Sequence, residues 1–570
     1  MRWGGRLWTT PLLALGATAI TFGAAAPPAN CPTVTVAGVQ QAAGHTVDWI
    51  VDNQQPDGSF LYEYDRSTGR TELFGTGAYN IVRHAGVLLA LYQAAGHDYE
   101  GALDSADRGL EWALGHAVER HGWVGITTEP YVQAGTNALM VAALAERREV
   151  TGDHQHDQLL AQLGTFLVGQ VEDNGALLGY YDLDPDQPRP DRYSIYYTGE
   201  AWWALTRLHR AFPDGGWGAV ANLVGHYLAT ERDHTENIWP PLADHWSGYG
   251  LGETAAFPDR PEGQPLTDDE LAFARRQGGI LGQRVRGISE RFGPWGTFVR
   301  GTFEPRGGGY GVFGEGLGGL WRAAQADDRL ADIRTPLGER QMCIVGLAID
   351  ALETPSEAAA YANPGFVSGA WFQNEVTRMD DQQHALSALF ATIPILDSPQ
   401  EVAGTNPMWV LWFVAVVGVL NPLRAIRRRP DNVAHAAAGA AGGAAILFTI
   451  GAFSGLLLDA LNVSQPAIRL AAAGLCVFSA VVDLLFRDRE SGDPKYWWVA
   501  YIVRPALVVA GWSVVADHGL VFYAAALVLA VATVPVVRLP DTPANWGMRL
   551  MSSLAIAASL LLVVHAVFDV

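Results

Sequence analysis

The chain has 570 residues, too many for one core, and its net charge of -21 is unevenly spread: 27 Lys/Arg stand against 50 Asp/Glu before Ala403, and 11 against 9 from there on. So acidic an N-terminal part, with no basic, aromatic-interleaved stripe, excludes nucleic acid as a partner. Three cysteines are too few for a disulfide scaffold or the usual zinc cage, and Cys31 and Cys343 are open to two readings, a bridge or two free thiols.

Residues 1–26 carry Arg2 and Arg6, an apolar run over 12–20 and then small residues, the layout of a secretory signal peptide. From 39 to 398 apolar residues recur at helical spacing and no sustained period-two strand is seen. Helices are predicted over 39–53, 79–95, 99–119, 134–151, 156–172, 198–211, 217–229, 338–352 and 380–393. A unit recurs along this stretch: an apolar helix ends near Gln, an Asp/Asn-Gly step follows, and a Tyr/Gly-rich loop opens the next helix. Residues 49–60 read WIVDNQQPDGSF and residues 166–177 read FLVGQVEDNGAL. Such repetition points to stacked helical hairpins. The glycine-rich stretch 250–336, including RGGGYGVFGEGLGG, gives no clear element.

These hairpins and their Gln-to-Gly-aromatic spacing resemble the α/α-toroid proteins: six-hairpin glycosidases and epimerases, and the terpenoid-cyclase toroids. The resemblance implies an all-α, (α/α)6-type ring over 39–398, with a glycan bound at the mouth where inner helices begin. No Asp-x-Asp-Asp acid motif is present, which excludes the terpene-cyclase identity.

From about residue 407 long apolar runs alternate with short polar joints, and six spans are predicted: 407–420, 433–458, 470–486, 496–516, 520–537 and 550–568. Arg424, Arg427, Arg428 and Arg429 follow the first span; Arg487, Arg489 and Lys495 follow the third; Arg538 and Arg549 follow the fifth. Cations stay on the cytoplasmic side, so residues before 407 lie outside the cell membrane and the lipid bilayer is a partner of 407–570. Asp483 and Arg504 read as two end charges or as a pair. Residues 445–486 with Asn421-Pro422 resemble the MarC family of six-span inner-membrane proteins; Ala472-Ala473 stands where that family has two glycines.

Candidate chemistry follows from which side chains open the predicted inner helices. Glu200, Asp380, Asp381 and His384 are the candidate catalytic residues. A glycosidase needs two carboxyl groups flanking the scissile bond, for which Glu200 with Asp380 or Asp381 is the pair. An epimerase or lyase needs a base and an acid about a carbon, for which His84, His384 and Tyr197 serve. Tyr79, Asn80, Arg83, His84, Tyr196, Tyr197, Asp244, Trp246, Arg378 and Gln383 are the candidate substrate contacts, with Arg83 suited to a carboxylate. Asp182, Asp184, Asp186 and Asp191 alternate in a loop without the turn glycine and final Glu of a calcium loop. No HExxH, P-loop or Gly-x-Ser-x-Gly occurs, and no metal or cofactor is expected. The expected function is action on a cell-envelope or extracellular glycan. The alternatives are a non-catalytic glycan-binding or scaffold protein and an accessory module of a MarC-like transporter.

Overall fold

A computed structural model describes residues 31–398 apart from 77–78, 239–241 and 290–305. They belong to one compact unit, Pro27–Glu401. The signal-peptide segment and all six predicted spans lie outside the described residues; among those described, no helix is long and apolar enough to cross a membrane.

Twelve helices of ten or more residues occur among the described residues: α1 (Val36–Asp52), α2 (Ile81–Gly96), α3 (Ala102–Leu114), α4 (Ala134–Thr151), α5 (Asp157–Gln170), α6 (Tyr197–Ala211), α7 (Trp217–Thr230), α8 (His245–Thr254), α9 (Asp268–Ser289), α10 (Gly307–Ala326), α11 (Ala331–Asp350) and α12 (Met379–Asp397). Their contacts define the architecture. Helix α2 packs on α4, α4 on α6, α6 on α8, α8 on α10, α10 on α12, and α12 returns to α2. The even-numbered helices therefore close a ring of six. The odd-numbered ones lie outside it: α3 against α2, α5 against α4, α7 against α6, α9 and α11 against α10, and α1 against α12. This is the (α/α)6 ring that the toroid resemblance implies.

Sequence explains the two layers. Inner helices such as α2 (IVRHAGVLLALYQAAG) bury almost every side chain, because both their flanks and their outward face meet neighbours. Outer helices such as α3 (ALDSADRGLEWAL) are apolar along one stripe, burying Ala102, Ala106, Leu110 and Trp112 while Asp104 and Glu111 face water. Side-chain caps fix several helix starts: Thr35 accepts from the Gly38 amide, Asn80 from Val82 and Asp244 from Ser247. Gly152, left-handed at φ 67°, ends α4.

The sequence reading is corrected in three places. The unassigned stretch 250–336 contains α9 and the inner helix α10. Helix α11 begins at Ala331, ahead of the expected 338, because Pro336 sits within it without ending it. Among the described residues, eight short strands occur where none is sustained enough to be read: β1 (Glu63–Asp65), β2 (Arg70–Glu72), β3 (Ala117–Arg120), β4 (Trp123–Ile126), β5 (Tyr131–Gln133), β6 (Tyr180–Asp182), β7 (Gln187–Pro188) and β8 (Val376–Arg378). They form antiparallel sets ordered β2-β1-β8, β3-β4 and β5-β6-β7. Strands β5 and β8 run directly into inner helices α4 and α12. Cys31 and Cys343 form a disulfide that joins the segment before α1 to α11.

Candidate active site at the floor of the ring

Polar side chains at the openings of the inner helices meet one another around the ring. Arg83 of α2 pairs with Asp380 of α12 at 3.2 Å, and its guanidinium donates to the Tyr62 hydroxyl. Arg306, just before α10, binds Asp381 of α12 at 2.7 Å. The ring of Tyr196, just before α6, stands 6.4 Å from that of His245, the first residue of α8. Gln133, before α4, donates to the Tyr197 hydroxyl at 3.3 Å.

Deeper in the ring lies a cluster from α8, α10 and α12. His384 Nδ1 is 2.6 Å from Glu315 Oε2, and His245 Nε2 is 3.9 Å from the same oxygen. The Tyr249 hydroxyl reaches the other oxygen, Glu315 Oε1, at 3.4 Å, and the Gln383 amide is 3.2 Å from His384 Nδ1. The two imidazole rings stand 5.3 Å apart, with Trp246 beside both, 4.3 Å from His245 and 5.7 Å from His384. Glu315 is completely buried and His245 is 5% exposed; His245 Nε2 has no hydrogen-bond partner.

Glycines make this convergence possible. A Cβ on Gly311 would lie 2.2 Å from the His384 carbonyl carbon, and one on Gly316 would lie 3.0 Å from His245 Cα. A Cβ on Gly248 would meet the Gly316 carbonyl oxygen at 2.4 Å. Backbones of α8, α10 and α12 thus touch directly, which brings Glu315 within reach of both histidines.

The electrostatics of the two histidines diverge. Burial, and next the charge of His384, push His245 well below its ordinary value, so it is a neutral imidazole. Burial also disfavours the charged form of His384, but the adjoining Glu315 carboxylate outweighs it, and the net direction is upward. Burial raises Glu315, with His384 opposing. His384 and Glu315 therefore hold a proton between them while His245 lacks one. Groups pushed apart in this way are how one site holds an acid and a base at one pH.

The other sequence candidates have defined places. Asp381 is engaged by Arg306, by the Gly308 amide at 2.9 Å and by the Arg378 amide at 3.0 Å. Asp380 keeps one oxygen, Oδ1, without a partner. Arg378 binds Glu63 at 2.8 Å across the β1-β8 pair. Asp244 caps α8 and is bound by the fully buried Arg232 and by the Ser247 hydroxyl, so its carboxylate faces protein on all sides. Asn80 caps α2. Tyr79 and His84 sit between α2 and α3, outside the mouth: the Tyr79 hydroxyl is 2.7 Å from His84 Nδ1, and His84 Nε2 donates to the Gly109 carbonyl at 2.9 Å. Burial takes His84 down to about 4. Glu200, on the first turn of α6, is buried beside Tyr197 and Gly135, with Oε2 unpartnered; burial and then the charge of Asp244 push it up to about 8.

The residue that sequence reasoning missed is Glu315. Its signal was present: it is the one charged side chain in the fifteen residues 307–321, and a buried helix tolerates such a residue only where partners await it. His245 stands between two of the sequence candidates, Asp244 and Trp246. His245, Glu315 and His384 are also the described residues whose donor atoms are arranged to hold a metal ion, all within 4.8 Å of one another. A cavity of about 640 Å³ lies at the opposite end of the inner helices, lined by His97, Glu146, Arg207, Glu253 and Arg322. Tyr249 and Ser387 also line it, so it ends against the two side chains that bond Glu315 from below.

No protein-family model and no curated protein sequence matches the chain. Among solved structures, it is similar to an α-mannanase of Bacteroides thetaiotaomicron at 10% identity, covering 62% of this chain and 95% of that one, with a TM-score of 0.42. It is similar to the cellobiose 2-epimerase of Spirochaeta thermophila at 14% identity, covering 63% and 97%, with a TM-score of 0.44. A sugar epimerase from a ruminal bacterium gives 10% identity, 62% and 98% coverage, and a TM-score of 0.43.

Proposed function

We propose that this chain is an exported, membrane-tethered α/α-toroid protein that acts on a glycan by acid-base chemistry at His245, Glu315 and His384. The observation that carries the reading is a fully buried Glu315 carboxylate with His384 at 2.6 Å and the unpartnered His245 at 3.9 Å from one of its oxygens, and the opposed proton preference of the two histidines supports it. Neutral His245 is equipped to take a proton from a carbon, and protonated His384 to give one. Glu315 anchors His384 and stabilises its charge. In an epimerisation the C–H bond breaks toward one imidazole and reforms from the other, with no net proton change. The substrate must carry an acidified C–H, as an open-chain reducing sugar or a uronic acid does. Arg83 and Tyr196 at the opening supply a cation and an exposed ring for such a molecule.

Two-carboxylate hydrolysis is less well supported, because Asp381 is occupied by Arg306 and two amides and Asp380 is paired with Arg83. Export is supported by the N-terminal segment and by the Cys31–Cys343 disulfide, which suits an oxidising compartment. Tethering is supported by the apolar runs beyond residue 407.

The test is incubation of the full-length chain in D2O with a panel of reducing oligosaccharides and uronate-containing envelope glycans. The expected result is deuterium at one ring carbon, with turnover about 100-fold lower in Glu315→Gln and binding retained. Absence of binding and conversion across the panel, or unchanged turnover in Glu315→Gln, would overturn the reading.

A further inference from the structure

The donor set at the floor of the ring has a second use. We propose that His245 Nε2, Glu315 Oε2 and His384 Nδ1 form a binding site for one divalent transition-metal ion of the zinc or cobalt type, with coordination positions left open toward the mouth.

Four observations carry this. The three donor atoms come from three different inner helices and lie within 4.8 Å of one another. Metal–nitrogen and metal–oxygen bonds of about 2.0–2.2 Å place neighbouring donors roughly 3.0–3.5 Å apart. That spacing falls between the 2.6 Å of His384 to Glu315 and the 3.9 Å of His245 to Glu315. The third pair, the two imidazole nitrogens, lies within 4.8 Å, so enclosing an ion takes a shift of about 1 Å that draws the rings together. Second, His245 Nε2 is buried and unpartnered, although it points at a carboxylate oxygen. A buried ring nitrogen left without a bond is costly, and a metal ion would satisfy it. Third, the Tyr249 hydroxyl holds the carboxylate oxygen that the ion does not need, as outer partners of metal ligands do. Fourth, the backbone contacts at Gly311 and Gly316 fix the helices that carry the ligands.

Ligand chemistry selects the ion. Two imidazoles and one carboxylate suit zinc, cobalt, nickel or iron. Calcium and magnesium require more oxygen donors than the cluster offers. Binding replaces the proton held between His384 and Glu315, so the loaded chain is a chemically distinct state of the site proposed above for acid-base work.

The experiment uses the full-length chain, stripped with a chelator, and Co2+ alone as the probe. One Co2+ per chain is expected, with visible d–d absorption. His245→Gln and Glu315→Gln should each weaken uptake by at least about tenfold, and His121→Ala, at an exposed histidine elsewhere, should leave it intact. Circular dichroism shows which variants keep their fold; Glu315→Gln preserves shape, so the proposal stays open to refutation if the histidine variant unfolds. No uptake by folded protein, or uptake that Glu315→Gln leaves unchanged, would overturn the site. The spectrum is read without sugar, so it stands if the glycan reading fails. Turnover by stripped protein that Co2+ leaves unaltered would remove the metal and keep the acid-base reading.

Discussion

The two sides of the ring are built differently. On the side of α2, α4 and α6, the inner helices pack mainly through alanine, leucine and tryptophan, and several polar groups near their openings serve neighbouring protein atoms: Asn80 caps, His84 bridges Tyr79 and Gly109, and Tyr197 meets Gln133. On the side of α8, α10 and α12, glycines of α8 and α10 replace bulk. Backbones touch at Gly248, Gly311 and Gly319, and the space so removed leaves one buried acid between two imidazoles. The difference teaches that close backbone approach, more than the polarity of a helix start, builds the chemical centre of this molecule.

The comparison can be broken or sharpened by substitution. The largest effect is expected from Gly311→Ala, whose methyl would enter 2.2 Å from the His384 carbonyl carbon. Overpacking against backbone should cost about 3 kcal/mol, measured by denaturant unfolding; a cost near zero would mean that α10 and α12 separate freely and that the glycines are not what positions Glu315.

A middle-sized effect is expected at Glu200, on the other side. Its carboxyl is held up at about 8 by burial and by Asp244. The folded state therefore binds a proton more tightly than the unfolded state, and stability is full below about 4.5 and is lost as pH rises through 8. The slope from this group is at most about 1.4 kcal/mol per pH unit. Glu200→Gln should flatten stability between pH 5 and 6, removing a change of about 1.4 kcal/mol expected in the native chain; parallel profiles would show that Glu200 is ionised in the folded protein. The smallest effect belongs to Gly169→Ala on α5, where an added Cβ meets nothing within 4 Å. It should stabilise by about 0.5 kcal/mol in the same unfolding measurement, and destabilisation there would erase the contrast with Gly311.

The stacked hairpins were legible because an apolar helix, an Asp/Asn-Gly step and an aromatic or apolar residue recur, as at 49–60 and 166–177, and their closure into a ring was what the toroid resemblance implied. His384 was legible from the density of charge around it. Glu315 was not, because helical reading relies on apolar periodicity, and GGGYGVFGEGLGG has too few side chains to show one. Asp244 and His84 looked like site residues because a cap and a core histidine carry the same atoms as a ligand contact. Only the partners, Arg232 for one and Gly109 for the other, distinguish them.

Strand β1 pairs with β8, and α2 rests on α12, so the first hairpin of the ring depends on the last. Gly96, where α2 ends, and Asp397, where α12 ends, have 300 residues between them. At about 5–20 residues per second, synthesis leaves that flank of α2 uncovered for roughly 15–60 seconds. Without its last helix the ring has an open, apolar end, and His245, Glu315 and His384 come together only when that closing segment is in place.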